Sequence, residues 1–224
     1  MIDSWEDGVA CRQCWDDTSI TTLLFDKSLC SKCGTPLLKS AANDLCGRCE
    51  GLLCNSARAC GLYSGALEAS ILFMKTQPHI CPRLGSLIMK TFSENRAPLA
   101  CDIVIPVPLH PERRRERGFN QAELIARVIS SGSGITFDAG SLIRIRHTER
   151  HRAGMDAIDR ARSVERAFKV LRPRFVKGLS ILLVDDVYTT GSTTLAAVKT
   201  LLEAGALRVS ILTIARVTTD TAHL

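Results

Sequence analysis

The stretch Ile181–Thr194, reading ILLVDDVYTTGSTT, constrains the fold of this chain more than any other segment. Apolar residues of the kind that fill a strand buried on both faces lead straight into two adjacent carboxylates, Asp185 and Asp186. A short loop of small hydroxylated residues around Gly191 follows, and then a helical run over Leu195–Ala206. Such a segment reads as the βα unit of an open α/β sheet, where ligands collect at the carboxyl ends of the strands. Thr189, Thr190, Ser192 and Thr193 offer hydroxyls, and the backbone N–H groups from Thr189 to Thr194 face outward at a helix N-terminus. That is an anion site suited to a phosphate monoester. Carboxylates beside it, for sugar hydroxyls or Mg²⁺, point to a phosphorylated sugar. A Walker A loop is excluded because no Lys follows the glycine. A plain βα turn with a Thr N-cap and solvated strand-end charges fits an isolated TTG, but accounts for less of DD-x-x-TTG-x-T.

Bulk properties narrow the setting. The chain has 224 residues and 46% hydrophobic content, enough for one sizeable core and a small satellite module. Aromatic residues make up only 5%, so base-stacking platforms are not advertised. The net charge of +6 is uneven: residues 1–60 hold six Lys/Arg against eight Asp/Glu, and residues 110–177 hold sixteen against eight. A basic middle suits an anionic ligand or nucleic acid, and a solvated basic face explains the same surplus. The N-terminus, MIDSWEDGVA, lacks the apolar core of a signal peptide, and no apolar run approaches the length of a membrane span. The expected location is therefore cytoplasmic, where clustered cysteines favour metal over disulfides.

Of ten cysteines, eight precede residue 61. They include three C-x-x-C pairs: Cys11/Cys14, Cys30/Cys33 and Cys46/Cys49. Such a turn brings two thiolates to one Zn²⁺, and either inter-pair spacing can close a tetrahedral site. Six thiolates exceed what one zinc needs, so the pairing stays open. CSKCGTPL…CGRC looks like a zinc ribbon, which favours Cys30, Cys33, Cys46 and Cys49. Cys11 and Cys14 read as the remnant of a second ribbon, with Cys54 and Cys60 available to complete it, although Cys54, Cys60, Cys81 and Cys101 each read more simply as small core residues. A segment this short has little apolar core, so zinc acts as its folding staple. The expected division is a cysteine-rich module over residues 1–60 and a main domain over 61–224.

Residues 61–93 carry apolar positions at helical spacing and read as two helices, with Lys75 at the end of the first read as solvated rather than anion-facing. Asp102–Val107 is an apolar strand stopped by prolines, Arg113–Arg117 a basic turn, and Asn120 or its neighbours open an amphipathic helix. Arg113, Arg114, Arg115 and Arg117 suit a pyrophosphate or a nucleic-acid backbone, because guanidinium forks bind phosphate oxygens bidentately. A short strand is expected at Ile135–Phe137 and another at Leu142–Ile145. Thr148–Asp159 is polar and poorly periodic, as a lid is, with Thr148, His151 and Arg160 as candidate contacts. Val209–Ala215 closes the chain as an apolar strand.

ILLVDDVYTTGSTT resembles the phosphoribosyl pyrophosphate (PRPP) motif of type I phosphoribosyltransferases. Together with IPVPLHPERRRERGFNQAELIA at 105–126, RIRHTERHRAGMDAIDRARSVERAF at 144–168 and the cysteine module, it resembles ComF-type proteins across nearly the whole chain. The resemblance implies an α/β fold: a type I phosphoribosyltransferase-like parallel sheet flanked by helices, with a small N-terminal zinc ribbon. It implies a site for PRPP or a ribose phosphate, with Asp185 and Asp186 on the ribose hydroxyls, directly or through Mg²⁺. Thr189, Thr190, Gly191, Ser192 and Thr193 then hold the 5′-phosphate, and Arg113–Arg117 with the 144–160 lid face the pyrophosphate. It also implies a role in the uptake of single-stranded DNA during competence, with DNA-uptake machinery proteins as partners. A catalytic phosphoribosyltransferase and a non-catalytic PRPP sensor are the alternatives. The chain departs from the family pattern at His151, where Gln is usual, at Ser163, where Asn is usual, and in holding three C-x-x-C pairs rather than two full ribbons.

Overall fold

The computed structural model describes residues 7–25, 29–37, 45–47, 49, 51–146 and 166–217. Its centre is a parallel five-stranded sheet in the order β1-β7-β6-β2-β3, formed by Ala57–Leu62 (β1), Ile103–Pro106 (β2), Thr136–Phe137 (β3), Ser180–Tyr188 (β6) and Arg208–Arg216 (β7). Leu142–Arg144 (β4) and Phe168–Val170 (β5) form a separate antiparallel pair. The α-helices among the described residues are Arg12–Phe25 (α1), Gly65–Met74 (α2), Pro82–Glu94 (α3), Pro111–Arg117 (α4), Gln121–Ser133 (α5) and Ser192–Glu203 (α6).

Side chains alternate across a strand, and here both faces are covered, which explains the near-continuous apolar runs of β6 and β7. Val104, Leu182, Val184, Leu212 and Ile214 face one core, together with Leu67 and Ile71 of α2, Leu84 and Ile88 of α3, and Ile125 and Ile129 of α5. Ile103, Ile105, Ile181, Leu183 and Ile211 face the other, against Ala197, Val198 and Leu201 of α6 and Leu142 and Phe168 of the β4–β5 pair. β6 is paired on both edges, with β2 and β7, so its end is fixed from two sides.

Several elements depart from the sequence reading. The boundary drawn at residue 60 falls inside β1, which is an edge strand of the main sheet; its short run ARACGL gave little apolar signal. The basic run expected as a turn is the helix α4. Its charges hide ordinary helix punctuation: Pro111 in the first turn, His110 as N-cap, and Gly118 with φ 80° as the left-handed C-cap. α1 lies in the segment read only for its cysteines. It packs on α2 and β1, anchored by the buried Trp15 and by Arg83, which bridges Asp7 at 2.8 Å and Asp16 at 3.0 Å.

The cysteine module hangs from the same sheet edge. The Ala57 N–H donates to the Lys32 carbonyl at 2.7 Å, Arg58 donates to the Ser31 carbonyl at 2.8 Å, and the Arg216 guanidinium donates to the Cys33 carbonyl. Arg216 also lies over the Tyr188 ring, 4.8 Å from its centroid.

Asn120 fixes the passage from α4 into α5. Its Oδ1 accepts from the Ala122 N–H at 3.1 Å, and its Nδ2 donates to the Val107 carbonyl at 3.0 Å, just beyond β2. Both bonds are buried, so Asn120→Ala leaves a strand-end carbonyl and a helix N–H without partners. We expect a loss of about 1–3 kcal/mol, read as a lower urea midpoint with an unchanged m-value.

Candidate functional site

The carboxyl end of β6 opens into a cavity of about 460 Å³, within the size range of small-molecule sites. Asp185 and Asp186 sit half-buried at its floor. Asp185 Oδ1 accepts the Asp186 N–H at 2.9 Å, and Asp186 Oδ1 accepts the Val187 N–H at 2.7 Å, so each carboxylate is braced by the next peptide. Thr189, Thr190, Gly191, Ser192 and Thr193 line the same cavity. Gly191, with φ 77°, is the N-cap of α6, and an added Cβ there collides with the Tyr188 ring and hydroxyl. The loop therefore lies directly on Tyr188, with glycine required by both conformation and space. Thr190 and Ser192 share a hydroxyl–hydroxyl bond of 2.8 Å at the helix N-terminus. Thr194 turns inward instead, donating to the Gly191 carbonyl at 3.0 Å.

The helical form of α4 sorts its four arginines. Arg113 and Arg117, four residues apart on one face, line the cavity. Arg114 and Arg115 are exposed on the outer surface, Arg114 paired with Glu123. Sequence reasoning did not single out Tyr63, Asn120 or Gln121 as cavity residues and took Lys75 as solvated, yet all four line the cavity together with Arg144. Lys75 stands one residue beyond α2, and only the sheet order brings that helix end over β6. Gln121 directly follows the N-cap of α5. It is 2% exposed, and its Nε2 has no hydrogen-bond partner among the described residues. The lid contacts Thr148, His151 and Arg160, and Ser163, lie outside the described residues.

Electrostatics tie these groups together. Burial and the charge of Asp186 hold the Asp185 carboxyl well above the usual carboxylate range, with Arg144 opposing. Burial also raises Asp186, opposed by Lys75, the Val187 N–H and Arg117. Burial lowers Arg144, and Arg113 adds to that while Asp185 opposes it. The cavity thus brings a crowded acidic pair and several cations together in partly desolvated space, an arrangement that favours a ligand carrying both hydroxyls and phosphates.

Four of the expected metal ligands come together. The Sγ atoms of Cys30, Cys33, Cys46 and Cys49 all lie within 4.8 Å of one another, close enough to hold a metal ion. Burial alone raises the Cys30 thiol, but N–H support from Cys33 and Cys46 outweighs it and brings the value down to about 6. Cys11 and Cys14 form a separate pair, with Sγ atoms 3.4 Å apart, and no third His, Cys, Asp or Glu joins them in a metal-sized cluster among the described residues. Cys54 and Cys60 do not complete a second site. They are buried in the cores on opposite faces of the sheet.

A parallel sheet whose central strand carries an acidic pair into a hydroxyl loop at a helix N-terminus, beside a four-cysteine cluster, defines an open α/β protein with a cavity at the carboxyl end of its central strand. The chain is 31% identical over 193 residues to the DNA utilization protein YhgH of Escherichia coli (strain K12), covering 83% of each. It is 29% identical over 187 residues to the competence protein ComFC of Bacillus subtilis (strain 168), covering 79% of this chain and 72% of that one. The chain therefore belongs to the ComF family, that of YhgH and ComFC. No protein-family model matches it. Among solved structures it is similar to a phosphoribosyltransferase from Corynebacterium diphtheriae, with 22% identity, a TM-score of 0.37, and coverage of 71% of this chain and 73% of that one.

The acidic pair is a stability cost of the folded state. For both carboxyls the folded value exceeds the unfolded one, so the folded chain retains protons that the unfolded chain releases. Their contribution is fully present below the unfolded value of about 4 and is lost as pH rises through the raised folded values. Asp185→Asn removes that loss. We expect thermal melts from pH 4 to 8 to show a flatter profile than wild type and a higher midpoint at neutral pH.

Proposed function

We propose that this protein binds PRPP or a ribose phosphate in the β6 cavity and acts in the uptake of single-stranded DNA during competence. The observation that carries the ligand is that Asp185 and Asp186 line one cavity with the hydroxyl loop at the α6 N-terminus and with Arg113 and Arg117 of α4. The carboxylates hold the ribose hydroxyls, directly or through Mg²⁺ accompanying PRPP. The backbone and hydroxyls of Thr189–Thr193 hold the 5′-phosphate, as helix N-termini hold anions. Arg113 and Arg117 face the pyrophosphate with Lys75 and Arg144, and Gln121 Nε2 supplies a buried donor. The four-cysteine cluster suits structural Zn²⁺, since four thiolates at this separation match a closed tetrahedral site. Zinc there would fasten a module that has little apolar core of its own.

The DNA role is supported by the names of the relatives, a DNA utilization protein and a competence protein. The exposed Arg115 puts positive charge outside the cavity, where a nucleic-acid backbone can reach it without displacing the sugar phosphate. Among the described residues no helix is long and apolar enough to cross a membrane.

Calorimetry with PRPP and Mg²⁺ tests the ligand: wild type binds, and Asp185→Ala weakens binding by about tenfold or more. Absence of binding by wild type refutes the assignment. DNA binding is tested by titrating a single-stranded oligonucleotide at several salt concentrations. Arg115→Ala is expected to weaken binding regardless of sequence and to reduce the log–log salt slope by about 0.7, the value of one phosphate contact. Failure of wild type to bind at low salt removes direct DNA contact from the proposal and leaves the ligand site standing.

A further inference from the structure

The pair Cys11 and Cys14 is used neither by the metal cluster nor by the cavity, and its setting differs from that of the other cysteines. Cys54, Cys60 and Cys81 are buried, whereas Cys14 is exposed and Cys11 partly so. Cys11 immediately precedes α1 and Cys14 lies in its first turn, with the two sulfurs 3.4 Å apart. Residues three apart on a helical turn share one face, so side-chain rotation alone brings these sulfurs to bonding distance.

The turn that carries them is firmly held. The Trp15 side chain, 1% exposed, donates from Nε1 to the Asp7 carbonyl at 2.9 Å, and Arg83 lies over its ring. Thr18 Oγ1 donates to the Cys14 carbonyl at 2.7 Å and accepts the Ala66 N–H at 3.2 Å, tying the first turn of α1 to the start of α2. Two accessible sulfurs in contact, on a turn braced from below, make an arrangement suited to thiol chemistry rather than to packing.

We propose that Cys11 and Cys14 form a redox-active dithiol that exchanges with low-molecular-weight disulfides and closes reversibly to an intramolecular disulfide. Cys11 attacks as the thiolate. It displaces one thiolate from the small disulfide, which takes up a proton, and leaves a mixed disulfide on Cys11. Cys14 then loses its proton to solvent and attacks the Cys11 sulfur, releasing the second small thiol. Two protein thiols are oxidised and one small disulfide is reduced to two thiols. The order follows from asymmetry in the turn. N–H support from Cys14 lowers the Cys11 thiol, whereas Cys11 raises Cys14. A helix N-terminus favours a thiolate in the same sense.

Arg12 lies between the two cysteines, which makes the bond directly readable. Trypsin cuts after Arg12, so a Cys11–Cys14 disulfide holds peptides 1–12 and 13–27 together until it is reduced. The full chain is incubated with oxidised glutathione, digested and examined by mass spectrometry. Wild type is expected to give the joined peptides, released by dithiothreitol. Cys14→Ser is expected to accumulate glutathione on Cys11 with no onward closure. Cys11→Ser is expected to react at Cys14 about tenfold more slowly than Cys14→Ser reacts at Cys11. Neither sulfur is in a core, and circular dichroism checks that both variants keep the fold. Stable glutathione adducts on both cysteines of wild type without joined peptides overturn the proposal. So does a zinc content that falls in Cys11→Ser while Cys30, Cys33, Cys46 and Cys49 are intact, because the pair is then a metal site.

Discussion

The pairing of β6 on both edges is the constraint on which the rest of this molecule depends. With β2 on one side and β7 on the other, and with apolar cores on both faces, the strand has no freedom to slide or tilt. A one-residue slip exchanges Leu182 and Val184 for Ile181 and Leu183 between the two cores and turns Asp185 to the opposite face. The carboxylates are therefore located by packing in the two cores rather than within the cavity. Their crowding persists because the sheet does not relax to relieve it.

What was legible in the sequence was local. The run ILLVDDVYTTGSTT holds a strand, a charged end, a glycine turn and a helix start in fourteen consecutive residues, so its spatial arrangement follows from backbone rules alone. Asn120 was legible as a helix start for the same reason. Lys75 and Tyr63 were not, because they reach the cavity only through β1 lying beside β7, a pairing between residues more than 150 positions apart. α4 was misread for a different reason. Four arginines in five residues draw attention to charge, while the marks that make the segment helical are a proline at its start and a glycine at its end. Once it is a helix, its arginines divide by angle, and two of the four turn away from the cavity.

The cysteines show the same division. C-x-x-C spacing announces which sulfurs are neighbours in a turn, and the four that converge were favoured because CSKCGTPL…CGRC looks like a zinc ribbon. The spacing says nothing of which turns meet across the chain. Cys54 precedes the edge strand β1 and Cys60 lies within it, and they are buried in cores on opposite sides of the sheet. Proximity in sequence there produces separation in space. The pair left over, Cys11 and Cys14, gains its character from α1, a helix that the cysteine spacing concealed.

Arg216 gives the molecule a continuity that neither module has alone. Its guanidinium holds the Cys33 carbonyl within the four-cysteine cluster and covers the ring of Tyr188, and Gly191 rests on that same ring. The height of the hydroxyl loop above the sheet is thus set from below by a residue whose other anchor lies in the cysteine module. A chimera that keeps this loop on a foreign N-terminal module must also keep a carbonyl where Cys33 places one, or Arg216 and Tyr188 lose their support and the loop loses its floor.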